Sequence, residues 1–314
     1  MLQILSVTGP IYLIMAAGYM AVRWGFFTRE EARVLGRFVV NFCVPALVFR
    51  ALSQRTLSEV LNGPYLAAYA LGSLAVLLGA VAYAHRLRGK PMSLAALQGL
   101  GMSGSNSAFV GYPIILQLLG PPAGVALALT MMVENLLIMP LAFVLADSGG
   151  TLRWHRALAQ AMRGLLKNPM FIGILAGFTF ALFDLHLPEV LDRTAQITAT
   201  AASPLALFVI GASLVGLRLE GLRRDLAVVV LGKLVLHPVA VFLALLILPP
   251  LDPPLRVAAV VFAGMPMLSL YPALAQKYQQ EGFCAAALLV ATVLSFLTIS
   301  VWIWAIYPLL ELVD

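Results

Sequence analysis

The sequence predicts an all-α integral membrane protein of ten transmembrane helices arranged as two inverted five-helix repeats. Three observations carry that expectation. Of 314 residues, 61% are hydrophobic and only 11% are charged, against roughly 25% charged in soluble domains, and the mean hydropathy is +0.96. Apolar runs long enough to cross a hydrocarbon core of ~30 Å recur along the whole chain, separated by short polar segments. The longest connection, 147–168, leaves five such runs on either side. Soluble enzymes, secreted disulfide scaffolds and nucleic-acid-binding modules are excluded by this composition, so the net charge of +6 is a matter of topology.

The predicted spans follow in order. Residues 4–22 open the chain, and because no Lys or Arg precedes Arg23 the basic region of a cleaved leader is missing and the span is read as retained. Next come 32–52, 64–84, 94–118 and 123–146, completing a first repeat over 1–146. After a cytoplasmic linker at 147–168, a second repeat over 169–314 holds 169–187, 196–217, 225–248, 254–277 and 284–308. Odd-numbered loops with the span ends beside them carry 15 of the 20 Lys and Arg, among them Arg23, Arg29, Arg86, Arg88, Arg153, Arg163, Arg223 and Arg224. The opposite side carries four (Arg50, Arg55, Arg193 and Arg256), and Lys233 lies within a span. Basic residues concentrate on the cytoplasmic side, so both termini are expected outside the cell membrane. An odd number of spans per half inverts the second half relative to the first. Pro45 and Pro204 echo each other in the second and seventh spans, and Pro113 and Pro266 in the fourth and ninth.

The fourth span reads Ser103-Gly104-Ser105-Asn106-Ser107, then Gly111-Tyr112-Pro113. At 1.5 Å per residue Asn106 lies about 18 Å deep, near mid-membrane. Pro113 cannot donate to the Phe109 carbonyl and its ring crowds that group. In the ninth span Gly264-Met265-Pro266 reaches a similar depth of about 18 Å, and Pro266 frees the Phe262 carbonyl. Broken helices at mid-depth must line a cavity or lie within protein, and their half-helix N-termini favour anions. Ser105, Asn106, Gly111, Pro113, Gly264 and Pro266 are therefore the candidate substrate residues.

Deep ionisable residues add to them. Glu134, Lys233 and His237 lie about 16, 12 and 18 Å into their spans, where a charge costs ~2.5–3.5 kcal/mol on insertion scales. Glu134 is open to a proton-coupling role and Lys233 to countering an anionic substrate, and a structural ion pair between the two is equally open. His237, four residues from Lys233 and followed by Pro238, is a candidate proton carrier or a neutral ring bonded to a carbonyl. Asn41 with Pro45, and Asn135 beside Glu134, are further candidates for substrate or coupling-ion contact. Gly173–Gly177 and Gly211–Ser213–Gly216 suit close helix packing, and Trp24, Trp154, Trp302 and Trp304 suit interfacial anchoring. Cys43 and Cys284 have no metal-ligand spacing.

At these residues the sequence resembles the auxin efflux carrier family of prokaryotic and plant membrane transporters. The likeness lies in NFCVPALVFRAL (41–52), SGSNSAFVGYPI (103–114), KNPMFIGILAG (167–177), ASPLALFVIGASL (202–214) and KLVLHP (233–238). It implies a fold similar to that of bile acid:sodium symporters, with spans 4 and 9 broken and crossing at the substrate site. Spans 1, 2, 6 and 7 would form a scaffold and spans 3–5 with 8–10 a transport domain moving as an elevator. Substrates of the family are organic anions, including auxin, malonate and malate. One departure matters: plant carriers have an asparagine in the second crossover too, where this chain has Met265-Pro266-Met267-Leu268-Ser269.

The expected function is a secondary active transporter of a small organic anion, such as a mono- or dicarboxylate, without an enzymatic activity or a bound cofactor. The chain has no P-loop pattern, so an ion gradient or the substrate's own gradient drives it, with proton and sodium both open. A sodium-coupled, bile-acid-symporter-like carrier is one alternative. Others are a channel and a rhomboid-like intramembrane protease built on Ser103 and His237, the latter suggested by Gly101-Met102-Ser103-Gly104. The expected partners are the substrate and the lipid bilayer, with no nucleic acid; a homodimer is left open.

Overall fold

The computed structural model describes residues 2–55, 62–147, 167–216 and 223–306, and all regular structure among them is helical. The predicted linker, with Arg153, Trp154 and Arg163, lies almost wholly outside these described residues. Among them six helices are long and apolar enough to cross a membrane: Arg29–Ser53, Gly63–Leu87, Pro122–Asp147, Glu189–Ser213, Arg224–Ile247 and Glu281–Ile306.

α1 covers Leu2–Arg23. α2 (Arg29–Phe38) opens with a capping box: Thr28 Oγ1 accepts from the Glu31 N–H at 3.2 Å, and Glu31 Oε2 accepts from the Thr28 N–H at 2.7 Å. A π-turn, Val39–Cys43, joins it to α3 (Val44–Ser53). α4 (Gly63–Ala82) ends in the π-turn Tyr83–Leu87. α5 (Met92–Ser103) and α6 (Tyr112–Leu119) are separated by non-helical residues 104–106 and the π-turn Ser107–Gly111. α7 (Pro122–Val133), the π-turn Glu134–Ile138 and α8 (Met139–Asp147) follow one another directly. α9 (Pro169–Leu182) is capped by Asn168, whose Oδ1 accepts from the Met170 N–H at 3.0 Å. α10 (Glu189–Thr200) and α11 (Ala202–Ser213) break at Ala201, three residues before Pro204. α12 (Arg223–Leu231), the π-turn Gly232–Leu236 and α13 (His237–Ile247) run on without a gap. α14 (Pro253–Ala263) and α15 (Tyr271–Ala275) are separated by residues 264–270, and α16 is Glu281–Ile306.

Prolines place most of the π-turns. Four of them end two residues before a proline: Cys43 before Pro45, Gly111 before Pro113, Ile138 before Pro140 and Leu236 before Pro238. A proline inside a helix has no N–H to donate and clashes with the carbonyl four residues back. Widening the preceding turn by one residue relieves the clash, and the residue before the proline then donates five back: Val44 to Val39, Met139 to Glu134 and His237 to Gly232. These turns carry Asn41, Ser107, Glu134, Asn135 and Lys233, so the polar residues sit where the backbone ladder is loosened. The wide turn also shows that Pro113 is not itself the break. The non-helical residues are 104–106, and the helix resumes through Ser107–Gly111 with Pro113 in the first turn of α6.

The chain divides into two compact units. The first comprises residues 1–62, 108–129 and 166–216. Within it α1 packs on α11 and α9 packs on α3, both through glycine. A methyl group on Gly173 would lie 2.7 Å from the Pro45 carbonyl oxygen, and one on Gly177 would lie 2.8 Å from that of Phe49. Gly18 and Gly211 press in the same way on the backbone of Phe208 and Met15. Gly216 plays another part, turning the chain after α11 at φ 67°. Arg50 joins α3 to α10 through two bonds of 3.0 Å to Asp192.

The second unit comprises residues 63–107, 130–165 and 217–314. Here α4 packs on α5 and α13, and α8 packs on α5. Tyr271 in α15 is fully buried and donates to the Leu97 carbonyl of α5 at 2.8 Å. Trp302, expected at the interface, is half-buried. Its indole N–H donates to the Leu234 carbonyl at 2.9 Å, the group that Pro238 leaves without its usual partner. At one edge Asp225 holds Lys90 at 2.6 Å.

Candidate functional site

Both interruptions of the second unit meet. The Asn106 N–H donates to the Pro266 carbonyl at 2.8 Å, and its side-chain amide donates to Ser269 Oγ at 2.7 Å. Sequence alone pointed to Asn106 and Pro266 separately; Ser269 stood in the second crossover stretch but was not among the candidates. Gly264 ends α14, and its N–H donates to the Val260 carbonyl at 3.0 Å. The Phe262 carbonyl, which Pro266 cannot serve, accepts instead from the Met265 N–H at 3.2 Å.

Next to this junction lies a closed cluster of charged and polar side chains. Lys233 is fully buried, yet all three ammonium protons are placed: on Ser105 Oγ at 2.6 Å, on the Ala263 carbonyl at 3.0 Å and on His237 Nδ1 at 2.8 Å. Because an ammonium only donates, His237 Nδ1 is the acceptor, which leaves Nε2 to donate to Ser73 Oγ at 2.8 Å. The Ala263 carbonyl ends α14, where a cation complements the negative end of the helix dipole.

Glu134, 3% exposed, takes the complementary place. Its Oε1 accepts from the Ser105 N–H at 2.9 Å, from Tyr69 at 3.0 Å and from Ser107 at 3.3 Å, while Oε2 accepts, among the described residues, only from Ser107, at 3.2 Å. Tyr69 also lies 3.2 Å from Ser105 Oγ. With Lys233 donating to Ser105, and Tyr69 to Glu134, the remaining proton of Ser105 points to Tyr69. A directed chain thus runs Lys233, Ser105, Tyr69, Glu134. The two charges, for which an ion pair and separate roles in transport were equally open, are joined through Ser105, whose main chain holds one and whose side chain holds the other.

The other candidates are placed elsewhere. Asn135 bonds back to the Met131 carbonyl at 2.8 Å, and the exposed Asn41 bonds back to the Arg37 carbonyl at 2.8 Å. Pro45 packs under Gly173 in the first unit, which also holds Gly111 and Pro113. Ser103 donates to the Gly99 carbonyl at 2.8 Å, and His237 is engaged by Ser73 and Lys233, so among the described residues the nucleophile–base contact that a protease needs is not made. Sequence reasoning missed Tyr69 and Ser73. Their signal was present: Tyr65, Tyr69 and Ser73 recur every four residues in an apolar span, which puts them on one helix face.

The chain matches the membrane transport protein family (Mem_trans) over residues 5–303. It is 28% identical over 305 residues to a protein of Rhizobium meliloti named "Putative malonate transporter", covering 96% of this chain and 95% of the relative. It is 23% identical over 241 residues to the uncharacterized transporter YfdV of Escherichia coli, covering 74% of this chain and 76% of that protein. A shorter stretch of 129 residues is 31% identical to auxin efflux carrier component 3a of Oryza sativa, covering 38% of this chain and 20% of the carrier. The chain belongs to the membrane transport protein family, the family of the auxin efflux carriers, and is a membrane transporter.

Proposed function

We propose that the protein is a secondary active transporter of a small organic anion, a mono- or dicarboxylate of the malonate type, working across the cell membrane as an elevator-type carrier. The observation that carries this is the junction of the two interrupted helices at Asn106, Pro266 and Ser269, with a buried cation and a buried carboxylate beside it. Interrupted helices paired at mid-membrane are the recurrent binding architecture of secondary transporters. The relative named for malonate, similar along nearly its whole length, supports a carboxylate substrate.

In this account ten spans form two inverted repeats with crossing fourth and ninth spans, and both termini face outward. Two pairings support the repeat: span 1 packs on the second half of span 7, and span 6 on the second half of span 2. Spans 1, 2, 6 and 7 act as scaffold and spans 3–5 with 8–10 as the moving domain. The grouping of 1–62 with 166–216 supports the division, although 108–129 groups with the first unit and not with the rest of spans 4 and 5.

The test is uptake of radiolabelled malonate, malate and aromatic acids by the purified protein in proteoliposomes. A carrier gives saturable uptake that is stimulated by unlabelled substrate inside. Uptake without such counterflow indicates a channel, and uptake of none of these acids overturns the assignment. Ser103→Ala is expected to leave counterflow within about twofold; proteolysis abolished by that change would establish the protease alternative.

A further inference from the structure

Resting on the carrier function proposed above, we infer that Glu134 is a proton-binding site occupied once per transported carboxylate, and that its ionised form is the chain's own anion holding the substrate's place.

The inference starts from charge balance. The closed cluster holds one positive group, Lys233, and one negative group, Glu134, with exposures of 0% and 3%. The other titratable groups facing Glu134 are Tyr69 and, one turn away, Tyr65 on α4; His237 on α13 reaches it through Lys233 and Ser105 and through its ring, which packs edge-on against Tyr69 at 5.7 Å. The carboxyl oxygens accept from Ser105, Ser107 and Tyr69 and have no charged group of their own sign beside them among the described residues. With Lys233 as ammonium and Glu134 as carboxylate, the cluster is neutral as a whole.

A substrate carboxylate entering this site would meet Glu134 already on the donors that it needs. The main-chain N–H of Ser105 and the hydroxyl of Ser107 are the groups that open the second half of the interrupted fourth span, and both serve Glu134. Two carboxylates sharing one ammonium would leave an uncompensated buried negative charge, which is strongly unfavourable in a low-dielectric interior. A proton taken from water onto Glu134 removes that excess. The bond formed is O–H on Oε2, the oxygen with only the shared Ser107 hydroxyl. Neutralised, Glu134 gains one O–H donor on Oε2 and its Oε1 becomes an uncharged, weaker acceptor, which loosens its hold on the Ser105 N–H and the Ser107 hydroxyl in favour of the incoming carboxylate, while Lys233 keeps its positive charge. One negative charge enters with one proton, so a monocarboxylate moves electroneutrally and a dicarboxylate carries one net negative charge.

The experiment uses malonate-loaded and empty proteoliposomes with the membrane potential clamped to zero. With one proton per anion, an inward gradient of one pH unit is expected to raise steady-state malonate accumulation about tenfold. In Glu134→Gln the residual uptake, whatever its rate, is expected to lose this stimulation, because the amide can neither bind nor release the proton. Stimulation by the gradient that persists in Glu134→Gln overturns the inference. If that variant fails to fold, proton uptake on malonate addition to the wild-type protein decides in its place: about one proton per malonate supports the site, and none overturns it. Wild-type counterflow that is indifferent to the pH gradient refutes the proton site alone and leaves the carrier standing. Absence of counterflow with every carboxylate refutes the carrier itself.

Discussion

Ser105 gives its N–H to Glu134 at 2.9 Å and accepts from Lys233 on its hydroxyl at 2.6 Å. Replacing it with alanine keeps the main-chain bond and removes the hydroxyl's links to Lys233 and Tyr69, so Ser105→Ala is expected to destabilise the protein by about 1.5–3 kcal/mol, the range for hydrogen bonds to charged groups. Lys233→Met goes further, because Glu134 is then left as a lone buried charge. A loss of about 3–5 kcal/mol is expected, and a substantial part of it should return in the double variant Lys233→Met with Glu134→Gln. Thermal unfolding in detergent of the wild type, the single variants Ser105→Ala, Lys233→Met and Glu134→Gln, and the double variant checks both predictions; additive losses would mean that the two charges are not coupled. At this scale the sequence named Ser105, Asn106, Glu134, Lys233 and His237 because each is an expensive residue in an apolar run. It could not show that Asn135, equally deep, would turn back onto its own helix. Neighbouring positions on a π-turn point in different directions, and the direction depends on where the wide turn falls.

α12 and α13 meet at a turn that Pro238 widens, and the orphaned Leu234 carbonyl is served from α16 by Trp302. Trp302→Phe leaves that carbonyl unpaired in a dry interior, a change expected to cost about 1–3 kcal/mol. Pro238→Ala allows an ordinary turn to close, so the cost of Trp302→Phe should shrink in its presence; an unchanged cost would refute the explanation. The glycine contacts make a second expectation. Gly211 lies against the Met15 backbone with no room for a side chain, and Gly211→Val is expected to lower stability by roughly 1–3 kcal/mol or more through overpacking. Helix positions and close glycine packing were legible in the sequence, since both follow from apolar runs and small-residue spacing. The site of the break was less so. Pro113 drew attention to the fourth span, but the backbone departs from the helix at 104–106, where glycine and serine make the departure inexpensive.

For the molecule as a whole, 15 basic residues on the side of the odd-numbered loops against four on the opposite side set the proposed orientation. In a protein without Cys43 and Cys284, Arg86→Cys is expected to react with an impermeant thiol reagent only from the cytoplasmic side, and Asp184→Cys only from outside. The reverse pattern would overturn the orientation and the outward termini. Matched prolines are what the sequence offers for the proposed inverted repeat; what each half packs against depends on contacts between residues far apart in the chain, which a periodic pattern does not encode. The claim on which the account rests is that the junction at Asn106 handles the substrate. Malonate counterflow by Asn106→Ala, in protein shown by its unfolding transition to be intact, tests that claim most directly. The account predicts exchange slowed about a hundredfold or more; exchange at the wild-type rate would contradict it.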